Sequence, residues 1–361
     1  MEKFFIGQMS GTSLDGIDTV LCKSTKKKFE IVSSVYLPYS KSLRMSIQKL
    51  ISESFCTLEN LKLIENKITD LYVKSINELL RGLSIDRKQI IAVGCHGQTI
   101  KHCPKKKYTL QLVNGSKLAH ETKISCVTDF RNKDIADGGQ GAPLVPAFHN
   151  FYFSNFFNNF CVINIGGISN ITLINNKKII NGYDTGPGNC LIDNWMQTKF
   201  DKKYDKDGKF SSKGKVNHFL LTKLLSNSFF KKKPPKSADK LDFYTNFKSK
   251  HLNIYKINHY DVLTTLVELT AESLKREIRK MSNINNIIIS GGGVKNKTLI
   301  SRIKEGFSQK NFVLSDELGI KYNQLEPMAF AWLTKNIIEK KAVFNPTGAK
   351  SINTMGCIYN S

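Results

Sequence analysis

The chain has 361 residues, 40% of them hydrophobic and 23% charged, which is the composition of a globular protein and excludes an intrinsically disordered one. This length allows two domains of ordinary size with well-buried cores. The net charge of +24 comes mostly from lysine, since only seven of the 54 basic residues are arginine. Dedicated nucleic-acid sites favour arginine, so the charge indicates a solvated basic surface and argues against a nucleic-acid partner.

The sequence also limits location and redox chemistry. No apolar run reaches the roughly 18 to 20 residues that span a bilayer, and the N-terminus runs directly into strand-like sequence without an apolar signal core. We therefore expect a cytoplasmic protein with no membrane partner. The eight cysteines are scattered without Cys-x-x-Cys spacing, which predicts reduced thiols and argues against a zinc site or a disulfide framework.

The first part of the chain is predicted to begin with three strands, because short apolar runs alternate there with turn-rich sequence. Apolar residues at three- and four-residue spacing predict the helices. The predicted elements, in chain order, are strands at Phe4 to Met9, Gly16 to Cys22 and Phe29 to Tyr36, helices at Lys41 to Glu53 and Glu59 to Leu83, and strands at Ile90 to Gly94, Tyr108 to Val113 and Ile124 to Thr128.

The same order of elements recurs in the second part of the chain. The predicted elements there are strands at Phe160 to Ile165, Ile171 to Ile174 and Lys178 to Tyr183, helices at Asn189 to Phe200 and Asp261 to Lys280, strands at Asn286 to Ser290 and Phe312 to Leu314, and a final helix at Glu326 to Lys340. This duplication predicts two similar α/β lobes with a ligand cleft between them. We place the lobes at residues 1–130 and 131–361, with a lysine-rich insertion at 201–250.

Glycine-rich turns follow three of the predicted strands. The chain has neither a Gly-x4-Gly-Lys-Ser/Thr phosphate loop nor a Gly-x-Gly-x-x-Gly fingerprint. The three turns are Ser10-Gly-Thr-Ser13, Asn164-Ile-Gly-Gly-Ile-Ser-Asn170 and Ser290-Gly-Gly-Gly-Val-Lys-Asn296. Glycines at strand ends let backbone N–H groups approach phosphate oxygens closely. A tight turn explains any one of them equally well, but three at equivalent strand ends predict a nucleotide site.

Asp184 is the candidate catalytic residue. It ends a predicted strand and is followed by a Gly-Pro-Gly turn into a helix, in Gly182-Tyr-Asp-Thr-Gly-Pro-Gly-Asn189. A positioned carboxylate that accepts a proton recurs in phosphoryl-transfer enzymes. The alternative is that Asp184 only caps the following turn or helix.

Polar residues also follow strands in the first lobe. His96 lies in Gly94-Cys-His-Gly-Gln-Thr99 and Arg131 in Thr128-Asp-Phe-Arg-Asn132, and both suit sugar hydroxyls and a substrate carboxylate. The alternatives are a buried structural histidine and a surface ion pair. The segment Asp137 to Pro146 is too rich in glycine and proline for a regular element, so we interpret it as a shaped loop that lines the ligand site or forms the hinge.

These segments together closely resemble the anhydro-N-acetylmuramic acid kinases of bacterial cell-wall recycling. The matching segments are Met9 to Asp18, Cys95 to Thr99, Asp129 to Asn132, Asp137 to Pro146, Asn164 to Asn170, Asp184 to Asn189, Pro235 to Ser237, Ser290 to Gly293 and Glu326 to Phe330. They occur in the family's order over nearly the whole chain. The resemblance implies an α/β fold of the actin, hexokinase and heat-shock ATPase superfamily, an actin-like ATPase fold in which two ribonuclease-H-like lobes enclose an interlobe nucleotide cleft.

The resemblance also implies the reaction and its residues. An enzyme of this family uses ATP and water to convert 1,6-anhydro-N-acetylmuramic acid into N-acetylmuramic acid 6-phosphate, with Asp184 as the general base that deprotonates the water. The implied ATP-binding residues are Gly11, Thr12, Ser13, Leu14, Asp15, Gly16, Ile17, Asp18, Gly166, Gly167, Gly291, Gly292 and Gly293. The implied sugar-binding residues are His96, Gln98, Asp129, Arg131 and Glu326.

Two departures from the family pattern leave contacts open. Met9 stands about where many superfamily members carry an aspartate for magnesium, so Mg²⁺ is expected with ATP but its ligands are not placed. Ala238-Asp-Lys-Leu-Asp242 follows Pro235-Lys-Ser237 in place of a Thr-Gly-Arg-Glu-like continuation. Two other functions also stay open, a kinase for another sugar and a non-enzymatic actin-like or chaperone ATPase, and so does a homodimeric state.

Overall fold

The computed structural model describes residues 2–26, 28–53, 55–247, 256–281, 283–352 and 355–361. The strands are β1 (Lys3–Ser10), β2 (Gly16–Ser24), β3 (Phe29–Pro38), β4 (Ile90–Cys103), β5 (Tyr108–Leu112), β6 (Cys126–Thr128), β7 (Phe160–Ile165), β8 (Ile168–Asn175), β9 (Lys178–Pro187), β10 (Asn286–Ser290), β11 (Asn311–Leu314) and β12 (Cys357–Tyr359). The helices are α1 (Lys41–Ser52), α2 (Leu58–Leu80), α3 (Gly115–Thr122), α4 (Asn132–Ala136), α5 (Pro146–Phe153), α6 (Cys190–Phe200), α7 (His218–Leu225), α8 (Leu241–Phe247), α9 (His259–Arg279), α10 (Lys297–Lys304) and α11 (Leu325–Ile338).

The chain forms two compact units that share one sheet topology. The first unit is Met1–Phe148 with Asn323–Ser361, and the second is His149–Tyr322. The first sheet has the order β12-β6-β4-β1-β2-β3, with β5 beside β4, and the second has the order β11-β10-β7-β8-β9. In each unit three antiparallel strands are followed by two strands parallel to the first one. This is the ribonuclease-H-like arrangement, so the predicted α/β class with two such lobes of the actin-like ATPase fold is confirmed.

The sequence accounts for the central elements of both units. Strand β7 is buried at every position, as a strand covered on both faces must be, and its six residues are apolar except Asn164. Helix α2 begins after Thr57, whose side chain accepts a hydrogen bond from the N–H of Asn60. It buries Ile64, Ile68, Tyr72, Ile76 and Leu79, which recur at three- and four-residue spacing and pack into the core of the first unit.

Two neighbouring glycines bring helix α11 onto the first sheet. Gly7 of β1 and Gly94 of β4 are paired in the parallel register. A side chain at Gly7 would overlap the carbonyl oxygen of Pro327, and one at Gly94 would overlap the side chain of Thr334. The helix backbone therefore lies directly against these strands, at a distance that only glycine permits. This contact positions Glu326, in the first turn of α11, at the end of the sheet where β1 reaches its glycine-rich turn.

The predicted boundary between the lobes at residues 130 and 131 differs from the division of the structure. The first unit continues to Phe148 and also takes residues 323–361. Helix α11 packs on β1 and β4, and Cys357, Ile358 and Tyr359 pair with β6. The C-terminal helix and strand thus return to the first sheet, which the local sequence pattern of these elements does not reveal.

The predicted insertion at 201–250 is also more structured than its lysine content indicates, although residues 248–250 lie outside the described residues. Its helices α7 and α8 and the turn between them bury Leu220, Leu224, Phe229, Phe243 and Phe247 in the core of the second unit. These elements are too short to show a helical period in the sequence. Among the residues that the structure describes, no helix is both long enough and apolar enough to cross a membrane.

Candidate active site

The turn between β1 and β2 offers a short open stretch of backbone. Gly11 has space around its Cα, where a side chain would approach nothing closer than the Ser13 hydroxyl oxygen at 3.5 Å. Ser13 is exposed and its Oγ donates a hydrogen bond to Asp15 Oδ1 over 2.5 Å. Leu14 has a φ of +59°, which turns the chain back toward β2. The N–H groups of the turn from Gly11 to Ser13, with the hydroxyl of Thr12, are suited to phosphate oxygens.

This turn is held in place by β4 and β3. The amide Nε2 of Gln98 donates to the carbonyl oxygen of Gly11 over 3.3 Å, and its Oε1 accepts from the Tyr39 hydroxyl over 3.2 Å. The carbonyl oxygen of Asp15 accepts from the N–H of Tyr39 and from the hydroxyl of Tyr36. Gln98 is fully buried. It lies inside β4 and supports the turn, whereas the sequence predicted a sugar contact.

The remaining residues of the predicted ATP-binding stretch are mostly structural. The side chains of Leu14 and Ile17 belong to the hydrophobic core of the first unit. Gly16 lies under β3, where a side chain would overlap the carbonyl oxygen of Leu37. Asp18 accepts a hydrogen bond from the side-chain amide of Asn323 over 2.9 Å. Of the eight consecutive residues predicted to bind ATP, the open turn at Gly11 to Ser13 is the part best placed to contact a ligand.

His96 and Arg131 form a hydrogen-bonded pair. The Nε–H of Arg131 donates to Nε2 of His96 over 2.9 Å, and its Nη1 donates to the carbonyl oxygen of Gly141 over 2.5 Å. An imidazole nitrogen that accepts from arginine carries no proton, so we assign the His96 proton to Nδ1, which lies 2.7 Å from the Gly97 carbonyl oxygen. Burial first, and the Arg131 charge second, hold the pKa of His96 well below its usual range.

This pair changes the expected role of His96. Its side chain is only 2% exposed, and the bonds to Arg131 and Gly97 engage both ring nitrogens. Its ring also packs on Phe330 of α11, with 4.8 Å between the ring centroids. His96 therefore orients Arg131, and Arg131 is the part-buried member of the pair with a guanidinium suited to a carboxylate.

Sequence reasoning missed Asp134, which fixes the glycine-rich loop. The buried carboxylate accepts the N–H of Gly141 through Oδ2 over 2.7 Å and the hydroxyl of Thr347 through Oδ1 over 2.6 Å. A side chain at Gly139 would overlap this carboxylate. The carbonyl oxygen of Gly141 also accepts a hydrogen bond from Arg131. Asp134 therefore fixes the loop that holds Arg131 in place. The sequence indicated Asp134 only weakly, as a carboxylate three residues after Arg131 and just before the glycine-rich loop.

Asp129 and Glu326 complete the predicted sugar-binding set. Asp129 follows β6 with a φ of +56° and accepts the side-chain amide of Asn132 over 2.6 Å. Burial raises the pKa of Asp129 against the opposing effect of that hydrogen bond. Glu326 is half-buried in the first turn of α11. The first unit thus places Asp129, Arg131 and Glu326 around the carboxyl end of β6, which pairs with the middle of β4, and around the start of α11.

Asp184 lies within β9 of the second unit and is 8% exposed. Its Oδ2 accepts a hydrogen bond from the N–H of Ala238 over 2.8 Å, and its own N–H donates to the carbonyl oxygen of Lys236 over 3.1 Å. The residue before helix α6 is Asn189, without a side-chain cap. Asp184 is thus not the N-cap residue of α6, and its Oδ2 is held by a separate segment of the chain.

The Gly166-Gly167 turn is fastened to the start of α6. The carbonyl oxygen of Gly166 accepts the N–H of Asn189, and that of Gly167 accepts the N–H groups of Gly188 and Cys190. A side chain at Gly188 would overlap the Gly166 carbonyl oxygen. The N–H groups of Gly188, Asn189 and Cys190 are therefore used within the protein, which fixes the position of this turn next to the end of β9.

The three glycines after β10 have different surroundings. Gly291 has a φ of +84°, and a side chain there would overlap Asn164 and Ile165. Gly293 has no room either, because Ile165 lies against it, whereas Gly292 is exposed with no atom close to the space that a side chain would fill. Gly291 and Gly293 therefore shape the turn, and Gly292 is its ligand-accessible member.

Metal coordination by side chains is the remaining feature of the site. Within the described parts of the chain, no three His, Cys, Asp or Glu side chains form a group that could hold a metal ion. Mg²⁺ that accompanies ATP takes most of its ligands from phosphates and water and needs only one or two carboxylates. The residues therefore assign no protein ligand to it.

The whole chain matches known proteins of one family. Residues 3–361 match the family model described as "Anhydro-N-acetylmuramic acid kinase". Proteins of that name from Nitrosomonas europaea and from Pseudomonas syringae pv. syringae are each 39% identical to this chain, over 99% of it and over 99% and 100% of their own lengths. The one from Sulfurimonas denitrificans is 38% identical, over 99% of this chain and 100% of its own length. The chain belongs to the anhydro-N-acetylmuramic acid kinase family.

Proposed function

We propose that the protein is an ATP-dependent kinase that opens 1,6-anhydro-N-acetylmuramic acid with water and releases N-acetylmuramic acid 6-phosphate and ADP. The observation that carries this proposal is the family match over residues 3–361, to relatives of the same length. The product is an amino sugar phosphate, so the reaction serves peptidoglycan recycling and amino sugar catabolism. Because ATP is the phosphoryl donor, we place the protein in the cytoplasm.

Asp184 is the general base in this proposal. Its carboxylate takes a proton from a water molecule, whose oxygen forms a bond to the anomeric carbon C1. The bond between C1 and oxygen 6 breaks, and oxygen 6 then attacks the γ-phosphorus of ATP. The bond from that phosphorus to the β,γ-bridging oxygen breaks and ADP leaves. The fixed position of the Asp184 carboxylate, with Oδ2 on the N–H of Ala238, supports this role because a base must be aimed at the proton that it takes.

The glycine turns bind ATP in this proposal. The open turn Gly11 to Ser13 donates backbone N–H and hydroxyl groups to phosphate oxygens. In the second unit, Gly166 and Gly167 form a fixed turn beside β9. Gly292, which has open space above its Cα, lies flat against the adenine or ribose.

The sugar is bound by polar side chains of the first unit. Arg131 pairs with the carboxylate of the lactyl group, for which its planar guanidinium is suited. Asp129 and Glu326 accept hydrogen bonds from sugar hydroxyl or amide groups. His96 and Gln98 act indirectly, because both are buried and bonded to other parts of the site.

The direct test is ADP release by the purified protein with ATP and 1,6-anhydro-N-acetylmuramic acid. We expect ADP release that depends on this sugar, with equimolar N-acetylmuramic acid 6-phosphate identified by mass spectrometry. ADP release with simple hexoses but not with the anhydro sugar would identify a different sugar kinase. ATP turnover that is indifferent to any sugar would identify an actin-like or chaperone ATPase.

Two further expectations need their own measurements. The requirement for Mg²⁺ is tested by adding EDTA and then restoring the ion, and we expect ADP release to stop and return, since divalent cations neutralise charge during phosphoryl transfer. A homodimer is tested by light scattering, where a mass of twice 40.8 kDa is the expected result for that state.

A further inference from the structure

The segment Pro235 to Ala238 forms two hydrogen bonds to Asp184 of β9. The carbonyl oxygen of Lys236 accepts the N–H of Asp184 over 3.1 Å, and two residues later the N–H of Ala238 donates to Asp184 Oδ2 over 2.8 Å. The segment therefore fixes both the backbone and the carboxylate of Asp184. It is also the point at which this chain departs from the family pattern, after Ser237.

The side chain of Lys236 is buried beside the same strand. The residue is 5% exposed, and its Nζ lies 4.8 Å from the ring centroid of Phe229 and 5.6 Å from that of Tyr183. An ammonium group in such a place loses hydration, and cation–π contacts offset only part of the loss. Methionine would fill a similar volume without a charge. Packing alone does not explain why this position holds a lysine.

Charged groups around the ammonium supply the explanation. The carboxylates of Glu277 in helix α9 and of Asp184 in β9 attract the ammonium. The ammonium groups of Lys280, just after α9, and of Lys232, four residues before Lys236, repel it. Glu277 is itself buried, and its Oε2 accepts from the Tyr183 hydroxyl over 2.9 Å and from Lys280 Nζ over 2.7 Å. Burial lowers the pKa of Lys236, and Glu277 and Asp184 oppose that shift. Both Glu277 and Asp184 thus favour the charged form of Lys236.

We propose that Lys236 is a positioning residue for Asp184: its carbonyl oxygen holds the N–H of Asp184, and its buried ammonium, which packs against Tyr183 of the same strand, attracts the Asp184 carboxylate. The proposal deepens the function proposed above and rests on it, because an ionised Asp184 matters to turnover only if this residue is the general base. Glu277 competes for the same ammonium and moderates its effect on Asp184.

The two charges predict opposite shifts. Without the Lys236 cation the anionic form of Asp184 is less favoured, so its pKa rises, and without the Glu277 anion it falls. A general base is active in its ionised form. The acidic limb of the plot of kcat/KM against pH should therefore move to higher pH without the Lys236 charge and to lower pH without the Glu277 charge. Because a nearby charge of this kind shifts a carboxyl pKa, we expect a shift of about one pH unit for Lys236→Met and a smaller one of opposite sign for Glu277→Gln.

The experiment compares Lys236→Met, Glu277→Gln and the wild type, with Lys233→Met as the control. Lys233 is an exposed lysine of the same stretch. The first readout is the ¹³C titration of the Asp184 carboxyl in protein labelled at aspartate, with the resonance assigned by its loss in Asp184→Asn. The second readout is the pH profile of sugar-dependent ADP release. We expect opposite shifts in the two test variants and none in Lys233→Met.

The titration separates this proposal from the proposed function, because it needs no turnover. A wild type without sugar-dependent ADP release would remove the function, and the ¹³C shifts would still decide the electrostatic relationship. Shifts in the same direction, or no shift in either test variant, overturn the role of Lys236. If Lys236→Met fails to fold, Glu277→Gln decides alone, since a pKa of Asp184 that does not fall in that variant contradicts the proposal.

Discussion

His96 Nε2 accepts a hydrogen bond from Arg131 Nε over 2.9 Å, at a position where the histidine ring is almost completely buried. Arginine is always protonated, so the bond exists only while the imidazole is neutral. The histidine thereby sets the direction of the guanidinium, and the carbonyl oxygen of Gly141 sets it from the other side. In the proposed function, His96 supports Arg131 and Arg131 contacts the ligand.

The first prediction follows from this pair. His96→Leu removes the acceptor of the Arg131 Nε–H and lowers kcat/KM for the sugar by about 10- to 100-fold, the range for a lost hydrogen bond to a charged group. The Kd for ATP is expected to stay unchanged. His96→Gln can still accept from Arg131, so it should restore part of the loss. Steady-state kinetics and calorimetry check both, with the exposed His120→Leu as the control; an ATP affinity lost together with sugar affinity would contradict the assignment.

The second prediction concerns stability at acidic pH. His149 is buried, with Nδ1 2.9 Å from the Thr172 hydroxyl, and burial lowers its pKa to about 3. The unfolded chain binds a proton at this residue below pH about 6.5 while the folded one does not, so the contribution is present above that pH and lost as the pH falls. Each such histidine steepens the loss by up to about 1.4 kcal/mol per pH unit between these values.

The measurement is urea denaturation of the wild type and His149→Gln between pH 7 and pH 4.5. We expect the free energy of unfolding of the variant to fall less steeply with decreasing pH, because its residue 149 no longer titrates. Parallel curves for the two proteins would show that His149 is protonated in the folded state as readily as in the unfolded one.

The third prediction compares two adjacent glycines. Gly293→Ala should destabilise the second unit, because the new methyl group overlaps the side chain of Ile165. Gly292→Ala should fold with wild-type stability, since nothing lies near the new methyl group, and it should weaken ATP binding if the nucleotide lies on this turn. Thermal denaturation and calorimetric titration with ATP separate the two effects. Unchanged ATP affinity in Gly292→Ala would move the nucleotide away from this turn.

Much of the fold could be predicted from local pattern. The three opening strands and the elements β7 to β10 fall close to their predicted positions because their apolar runs and glycine turns are local signals. The long β4 was predicted to end at Gly94 but continues to Cys103, because Cys95 to Thr99 reads as a turn while its neighbours β1 and β5 pair with it as a strand.

The candidate site was predictable by residue type and less by role. Asp184 and Arg131 lie at or near strand ends, where the sequence placed them, and their functions stay proposals. Gln98 and Asp134 show what the sequence could not indicate. Gln98 is buried and supports the turn at Gly11, and Asp134, which the sequence analysis did not single out, supports the loop at Gly141. Both form hydrogen bonds to segments that are distant in sequence, at Gly11 and at Thr347, and such contacts depend on tertiary packing that no local pattern contains.

The most direct test of the account is ADP release by Asp184→Asn. The amide keeps the shape of the carboxylate and its acceptor oxygen for the N–H of Ala238, but it cannot take a proton. We expect ATP binding within about twofold of the wild type and sugar-dependent ADP release reduced by about a thousandfold or more, as for other essential bases. Asp201→Asn, an exposed residue at the end of α6, serves as the control. Near-normal ADP release in Asp184→Asn would contradict the account.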